Sequence, residues 1–393
     1  MNNEGDSNFT KSILGISLTG IAAFGAQYCL QPIIKDVAAY YGRGADGAGL
    51  IMGASLLGMA AMLLVLVYIS DRLPIKKCIL GGLCFALACT FSVWFIEDLY
   101  VFIVNRFLQG AVLAMIPVLT ITYARLHSTP EKAGFAVSMY ICGMTLGGLS
   151  GRLAMGILAD YFPWKTALML LGAIYAVFVA LEFWLLQPDK PRTVAGKTVT
   201  AHFDFFSYQG LKLLAVCLFG FSFADCFFIV FNFIPYIFSA PPYNFSHTLI
   251  SMIFLIQIFG SFSSFVSGRL HARFGAYKLA YAGLTLIGIG ALSTLIDGVV
   301  PKCAGLIIIN LGFFATQSMG SVMSSGISEA HKSSCTAAYM FSYYTGASVI
   351  TSIGGYLYRA FGWNALIAVE IAEISFAALF LTWFIWLNKH EKK

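Results

Sequence analysis

The residues of this chain whose side chains could do chemistry are ionisable groups inside long apolar stretches. Asp225 is the clearest of them, since it lies among Phe221, Phe223, Phe227 and Phe228 with no basic residue near it in the chain. An apolar setting disfavours the charged form of a carboxyl, so Asp225 could bind and release a proton here. The alternative is a structural role, in which a protonated acid is hydrogen-bonded inside the protein.

Four other positions place charge in such stretches, where ionisable side chains are costly and by default indicate function. Arg106 could extend to a membrane interface or act on a proton or a substrate charge. Arg152 could pair with backbone carbonyls or take part in transport. Glu182 and the Glu370/Glu373 pair occupy the sixth and twelfth apolar stretches. We expect Glu182 to be interfacial. Glu370 and Glu373 share a helix face and could form a structural cluster, and with Arg152 they are the next candidates if Asp225 does not carry the proton.

The composition predicts the membrane helices that would hold these residues. Hydrophobic residues make up 59% of the chain and charged residues 11%, with a mean hydropathy of +0.81. A soluble domain carries roughly 25% charged residues. A helix needs about 20 apolar residues to cross a bilayer, because lipid offers the backbone no hydrogen-bond partners. We predict twelve spans, at 13–34, 49–69, 78–97, 99–124, 134–159, 165–186, 211–238, 246–268, 278–297, 302–325, 335–358 and 364–388.

The twelve spans divide into two halves of six. We predict an all-α membrane protein with an N-terminal six-helix bundle at 1–186, a cytoplasmic linker at 187–209 and a C-terminal six-helix bundle at 210–393. Two such halves are typical of secondary transporters, in which they move about a central site. The halves are predicted to be pseudo-symmetric because one pattern occurs in both the fifth and the eleventh span, as Tyr140, Gly147, Gly156, Phe162, Trp164 and again, with the same spacing, as Tyr339, Gly346, Gly355, Phe361, Trp363.

The basic residues predict the orientation of the spans. Most of the 24 Lys and Arg residues fall in the segments on one side, which the positive-inside rule assigns to the cytoplasm together with both termini. We expect a bacterial inner (plasma) membrane protein that contacts lipid and is a monomer. The net charge of +6 then reflects topology, and no basic soluble patch predicts nucleic-acid binding.

Other classes of function lack the residues that they need. The nine cysteines include no Cys-x-x-Cys, and the six histidines are scattered without ligand spacing, so we expect no metal ion or other cofactor. No group of His, Cys, Asp and Glu residues has the spacing of a catalytic nucleophile with its base or of a metal site, so nothing in the sequence indicates an enzyme. The Gly-x4-Gly-Lys-[Ser/Thr] loop of a nucleotide-driven pump is absent.

Two loops resemble the signature loop of the major facilitator superfamily, Gly-x-x-x-Asp-Arg-x-Gly-Arg-Lys. The loop after the second span contains Asp71, Arg72, Lys76 and Lys77 but lacks both glycines. Its counterpart in the second half, 268–278, keeps both glycines and lacks the acid. Two copies at matching places carry the resemblance better than either copy alone. It implies two six-helix bundles around a cavity at the bilayer midplane that opens alternately to two faces.

Further motifs resemble one branch of that superfamily. Arg106, Gln109 and Gly110 are similar to its Arg-x-x-Gln-Gly motif, which favours a role for Arg106 in proton coupling or substrate charge. The branch indicated is the drug:proton antiporter type, and within it the arabinose-efflux-permease-like group. The residues that carry this similarity are the antiporter-motif glycines Gly134, Gly143, Gly147 and Gly151, with Gly148 and Arg152 at positions where the motif has proline and glycine, together with Tyr28, Gln31, Pro32, Ser150, Phe341, Tyr343 and Tyr344.

Two of these motifs have alternative interpretations. The glycines of the fifth and eleventh spans could be packing contacts or a smooth surface along which the bundles slide. Asp71 could be a solvated acid or could cap the N-terminus of the eleventh span and bias the transport cycle at a cytoplasmic gate. We predict proton-coupling and gating roles for Asp225, Arg106, Asp71 and Arg152.

The expected function is transport of a small molecule. We predict a proton-coupled secondary transporter that exports a small organic or amphipathic compound. The alternative is import of a metabolite such as a siderophore-like metal chelate, and buried arginines would suit an anionic substrate in either direction. The predicted substrate-binding residues are Gln27, Tyr28, Gln31, Asn232, Gln257, Asn310, Gln317, Tyr343 and Tyr344.

Overall fold

The computed structural model describes residues 2–69, 73–189, 207–328 and 331–390. Within these ranges the regular structure is entirely helical, without a strand. Short 3₁₀ turns lie at Gln31–Ile33, Val93–Phe95 and Phe254–Ile256. The α-helices are α1 (Asn2–Tyr28), α2 (Ile34–Tyr40), α3 (Ala45–Ile69), α4 (Ile75–Ser92), α5 (Leu99–Leu126), α6 (Pro130–Tyr161), α7 (Trp164–Leu185), α8 (Tyr208–Phe238), α9 (His247–Ile253), α10 (Gln257–Phe274), α11 (Ala276–Ser293), α12 (Val299–Ser325), α13 (Lys332–Phe361) and α14 (Trp363–His390).

The long helices match the predicted spans. In the described part of the chain, eleven helical segments are long and apolar enough to cross a membrane. The first joins α1 to α2 as Phe9–Tyr40, and the eighth joins α9 to α10 as His247–Phe274. α13 is the twelfth long helix, with 30 residues, and its many Ser, Thr and Tyr side chains lower its hydropathy. The prediction of an all-α membrane protein with twelve transmembrane helices in two six-helix bundles is confirmed.

Local sequence explains where several helices begin and end. The Asp98 side chain accepts a hydrogen bond from the Val101 N–H at 3.0 Å and caps α5, and Ser207 caps α8 in the same way. Gly275 alone separates α10 from α11, with φ at +78°, a conformation that costs glycine little. Pro32 lies in the turn after α1 and has no N–H to continue a helix. The first span therefore contains an irregular segment between Tyr28 and Ile34.

The first compact unit comprises Met1–Gly42, Leu57–Ala195 and Phe245–Met252. Within it α1 packs along α6, and α4 packs on α5 and α7. Glycines make the α1–α6 contact possible, since a Cβ at Gly143 would lie 3.0 Å from the Ser17 Cα. This contact joins two helices of the same unit, which favours the interpretation of the α6 glycines as packing contacts.

The second compact unit comprises Arg43–Leu56, Gly196–Asn244 and Ile253–Lys393. Its central helix is α8, which packs against α12, α13 and α14, while α11 packs along α12. The most apolar window of α8 is 78% buried. Side chains on every face of α8 therefore contact protein, which gives the polar groups on this helix little contact with lipid.

Candidate functional site

Arg106 lies inside the first unit on α5, with 2% of its surface exposed. Its guanidinium donates to the Gln109 side-chain oxygen, one turn along the helix, and to the Gln27 carbonyl oxygen at 3.0 Å. Gln109 donates in turn to the Ala86 carbonyl at 3.1 Å and to Thr90 Oγ1 at 2.9 Å. Arg106 is therefore held among α1, α4 and α5. The alternative that its side chain extends to a membrane interface does not fit this position.

A small cavity adjoins the Arg106 guanidinium, and Cys29, Thr90, Phe102 and Gln109 are among the residues that line it. Its space is about that of one water molecule. Arg106 Nε has no hydrogen-bond partner, and no carboxylate forms an ion pair with this side chain, among the residues that the structure describes. A buried cation in this setting can attract a carboxylate or another anionic group.

Arg152 is the second buried arginine of the first unit, with 2% of its surface exposed on α6. Its Nε donates to Gln31 Oε1 at 2.7 Å, and its Nη1 donates to the Gly148 carbonyl at 2.7 Å. The guanidinium carbon lies 4.5 Å from the centroid of the Tyr28 ring. Arg152 thus meets the irregular segment after α1, where a helix end supplies polar groups.

The two arginines surround one short segment of the chain. Cys29 lies in this segment, and its thiol interacts electrostatically with both guanidiniums. The structure therefore brings together Gln27, Tyr28 and Gln31 with Arg106 and Arg152. These are all the site residues predicted in the first unit that the structure describes.

Asp225 lies inside the second unit on α8 and is fully buried. The Thr351 hydroxyl of α13 donates to its Oδ1, and its Oδ2 has no partner in the described ranges. Neither oxygen is paired with a basic residue among the described ion pairs. The single hydrogen bond leaves the carboxyl able to hold a proton.

Two more carboxyls, for which the sequence left a structural cluster and a proton site as alternatives, accompany Asp225. Glu370 and Glu373 are one turn apart on α14, with 0% and 5% of their surfaces exposed. The Cys226 thiol, next to Asp225 on α8, donates to Glu373 Oε2 at 3.7 Å, and α14 packs along α8. The signal that could have identified them is two acids on one helix face, inside an apolar span without a base.

The other predicted residues of the second unit lie on four helices, α8, α10, α12 and α13. Tyr343 is buried, and its ring centroid lies 5.1 Å from that of Tyr344 and 5.9 Å from that of Phe223. Asn232 is 1% exposed, whereas Asn310 is fully buried and donates to the Leu306 carbonyl of its own helix at 2.9 Å. Gln257 and Gln317 are half-buried. These residues lie in one unit with Asp225.

The loop that resembles the superfamily signature is only partly described. Asp71 and Arg72 lie outside the described residues. Lys76 follows them, and its Nζ donates to the Phe183 carbonyl at 3.1 Å and the Leu186 carbonyl at 2.5 Å. Lys76 therefore caps the C-terminal end of α7, where a cation is favourable.

Glu182 differs from its expected interfacial position. It is fully buried on α7, and its Oε2 accepts a hydrogen bond from Thr19 Oγ1 at 2.9 Å. Its Oε1 has no partner in the described part of the chain. The position near a helix end did not reveal this, because burial depends on the packing of α1 against α7.

A histidine bridges two acids in the first unit, which sequence reasoning did not identify. His247 Nε2 lies 2.5 Å from Asp36 Oδ2, and His247 Nδ1 lies 2.9 Å from Asp160 Oδ1. Asp160 also accepts the backbone N–H groups of His247 and Thr248, and so caps α9. The cluster joins α2, α6 and α9, which are distant in sequence.

A second charged cluster lies at the loop before α5. Lys165 Nζ is 2.9 Å from Glu97 Oε1, and the Tyr40 hydroxyl also donates to Glu97. The hydrogen bond from Tyr40 and then that from Lys165 hold the pKa of Glu97 below its ordinary value.

In the second unit, Arg359 pairs with the buried Asp46 at 3.1 Å.

Long apolar helices in this number and arrangement are those of the major facilitator fold. The sequence model "Major Facilitator Superfamily" matches residues 16–351. The chain belongs to this superfamily.

Relatives of nearly full length are transporters. An uncharacterized MFS-type transporter of Bacillus subtilis, YybF, is 28% identical over 391 residues, covering 97% of this chain and 94% of that protein. The inner membrane transport protein YnfM of Escherichia coli is 28% identical over 367 residues, covering 92% and 87%. These similarities support a function in transport and not in enzymatic catalysis.

A solved structure shares the fold. The inward-facing, unoccupied structure of a bacterial homologue of the human lysosomal transporter Spinster has a TM-score of 0.77 and covers 97% of each chain. At 13% identity the similarity is one of fold alone.

Proposed function

We propose that the protein is a proton-coupled transporter that exports a small organic or amphipathic compound across the bacterial inner membrane by alternating access. It belongs, in this proposal, to the drug:proton antiporter type and its arabinose-efflux-permease-like group. One observation carries the proton coupling: Asp225 is fully buried, holds one hydrogen bond and has no basic partner among the described ion pairs. A charge in that position is costly unless it is neutralised.

Proton binding can bias a transport cycle because it changes the charge of a buried site. A protonated Asp225 is neutral and can remain enclosed by apolar side chains. An ionised Asp225 needs water or a cation, and so favours a state in which α8 borders an open cavity. A proton gradient can then drive the equilibrium between the two states in one direction.

The substrate class is supported by aromatic side chains of the second unit. The Phe223, Phe313 and Tyr343 rings pack together, with Phe223–Phe313 centroids 5.8 Å apart and Phe313–Tyr343 centroids 6.3 Å apart. Aromatic surfaces with few polar groups suit amphipathic organic molecules. In the first unit, Arg106 would favour compounds that carry a negative group.

The proposed direction of transport, export, rests on the glycine motif of α6, which resembles that of the drug:proton antiporter branch. Arg152 occupies a motif position that has glycine in that branch, and it bonds Gln31 at 2.7 Å. Asp71 completes the proposal as the gate residue of the cytoplasmic loop, where an anion near a helix N-terminus contributes about 0.3–1 kcal/mol.

The first experiment identifies the substrate. Metabolites inside and outside cells are compared with and without the protein, and an exported compound should accumulate inside cells that lack it. The same compound is then assayed in proteoliposomes with an imposed pH gradient. Accumulation against its concentration gradient is expected for the wild type and should collapse with a protonophore.

Asp225→Asn tests the coupling residue. The amide mimics the protonated acid permanently, so exchange of substrate should persist while gradient-driven accumulation is lost. Asp297→Asn is the matched control, since Asp297 is an exposed acid of the same unit. Full gradient-driven accumulation by Asp225→Asn would contradict the assignment of the proton to this residue.

A further inference from the structure

The second unit contains more buried carboxyl groups than one proton-coupling residue requires. Asp225, Glu370 and Glu373 have 0%, 0% and 5% of their surfaces exposed. Neither oxygen of Glu370 has a hydrogen-bond partner in the described part of the chain. Asp225 Oδ2 and Glu373 Oε1 also lack a partner there. A buried acid with two unmatched oxygens is costly as an anion, and a proton removes most of that cost.

The groups that face these carboxyls offer no compensating charge. Thr351 of α13 donates to Asp225, and Cys226 of α8 donates to Glu373. The electrostatic partners of the two glutamates are Asp225, each other and this thiol. The basic residue of α12, Lys302, instead donates to the Thr294 carbonyl at 2.6 Å. On α11, the Tyr281 hydroxyl is hydrogen-bonded to the Thr382 hydroxyl at 2.6 Å, and the Tyr277 ring packs against Phe384.

The arrangement suits protons and does not suit a metal ion. A bound cation such as sodium or calcium needs several oxygens converging on one point at short distance. No group of three His, Cys, Asp or Glu residues in the described ranges converges in that way. Protons need only carboxyls that are close enough to influence each other.

We propose that Asp225, Glu370 and Glu373 form one shared proton-binding site that joins α8 to α14. The proposal deepens the proposed function, because it extends the coupling site from one carboxyl to three and gives α14 a part in it. Since adjacent negative charges repel, the three groups release their protons over a broad pH range and not at one common pH.

The test is infrared titration of the purified full-length protein in detergent, without substrate or gradient. The carbonyl band of protonated carboxyl groups is followed as the pH is raised, for the wild type and for Glu370→Gln, Glu373→Gln and Asp225→Asn. Each variant should lose part of the pH-dependent band. Because one neighbouring like charge is removed, the high-pH end of the remaining titration should also move down by about one pH unit.

Glu182→Gln is the matched control. Glu182 is an equally buried carboxyl in the first unit, bonded to Thr19, so its loss should remove intensity without moving the titration of the other groups. Glu370→Met serves if the glutamine variant does not fold, since it keeps a similar volume without a polar group. An unchanged titration in the Glu370 and Glu373 variants would overturn the proposal.

Three further outcomes are decisive. The titration is repeated in sodium chloride and in choline chloride, and a shift that depends on sodium would overturn the proposal by identifying that ion as the ligand. If the cluster titrates as expected while a pH gradient drives no transport, the proposed function fails and the proton site stands. If the gradient drives transport while the band of the cluster does not titrate, the shared proton site fails and the proposed function stands.

Discussion

Adding one methyl group at Gly147 separates the two interpretations of the glycine row of α6. A Cβ there would lie 2.5 Å from the Ile21 Cα and 2.8 Å from the Ile21 carbonyl carbon. These are backbone atoms of α1, so the overlap cannot be relieved by a side-chain rotation. Overpacking of this kind costs about 1–3 kcal/mol. Alanine regains about 1 kcal/mol over glycine inside a helix, so the net destabilisation expected for Gly147→Ala is up to about 2 kcal/mol.

Gly134 supplies the control within the same helix and the same motif. A Cβ at Gly134 has nothing within 4 Å, so Gly134→Ala retains the gain in helix propensity without any overlap. It should leave the protein as stable as the wild type or stabilise it by up to about 1 kcal/mol. The difference between the two variants then measures the steric contribution alone.

Thermal unfolding of the purified proteins, followed by tryptophan fluorescence, is compared with transport in proteoliposomes. Gly147→Ala should melt below the wild type and Gly134→Ala should not. If both variants are equally stable and transport at the wild-type rate, the close contact between α1 and α6 is refuted. If Gly147→Ala is stable but transports slowly, the sliding interpretation is correct and the packing interpretation is wrong.

Three further outcomes are expected. Reporter fusions after Lys393 and within 187–209 should behave as cytoplasmic and one within 240–243 as external, and an external C-terminus would contradict the predicted orientation. His247→Gln should lower the melting temperature more at about pH 6 than at about pH 9, because only the protonated imidazole attracts its two carboxylate partners; equal losses would leave hydrogen bonding as the sole contribution. Glu97→Gln should lower the melting temperature at about pH 7 and not at about pH 3, because a carboxyl with a lowered pKa stabilises the fold above its unfolded pKa and loses that effect as the pH falls. A loss that persists at low pH would show that charge is not the cause.

The fold could be predicted from local sequence because the membrane restricts the possibilities. Apolar stretches of sufficient length must be helices there, since every backbone group needs a partner within its own segment. The prediction of twelve spans held even for α13, whose polar side chains lower its hydropathy. The details that it missed are local interruptions, such as the turn at Gln31–Ile33 within the first span.

The candidate site could be predicted only in part. Arg106, Arg152 and Asp225 were recognisable because charge is rare in an apolar span, and each is buried. Their partners were less predictable. The role of Glu370 and Glu373 stayed open, because a position in the twelfth span does not show which helix α14 packs against.

Helix type, span number and the presence of intramembrane charge follow from the sequence by itself, because hydrophobicity and charge act residue by residue. Which charges meet was decided by the tertiary structure alone. Asp36, Asp160 and His247 come from three separate helices, and Asp225 meets the α14 glutamates across most of the second half of the chain. Burial and electrostatic coupling depend on distances in space, and local sequence does not contain those distances.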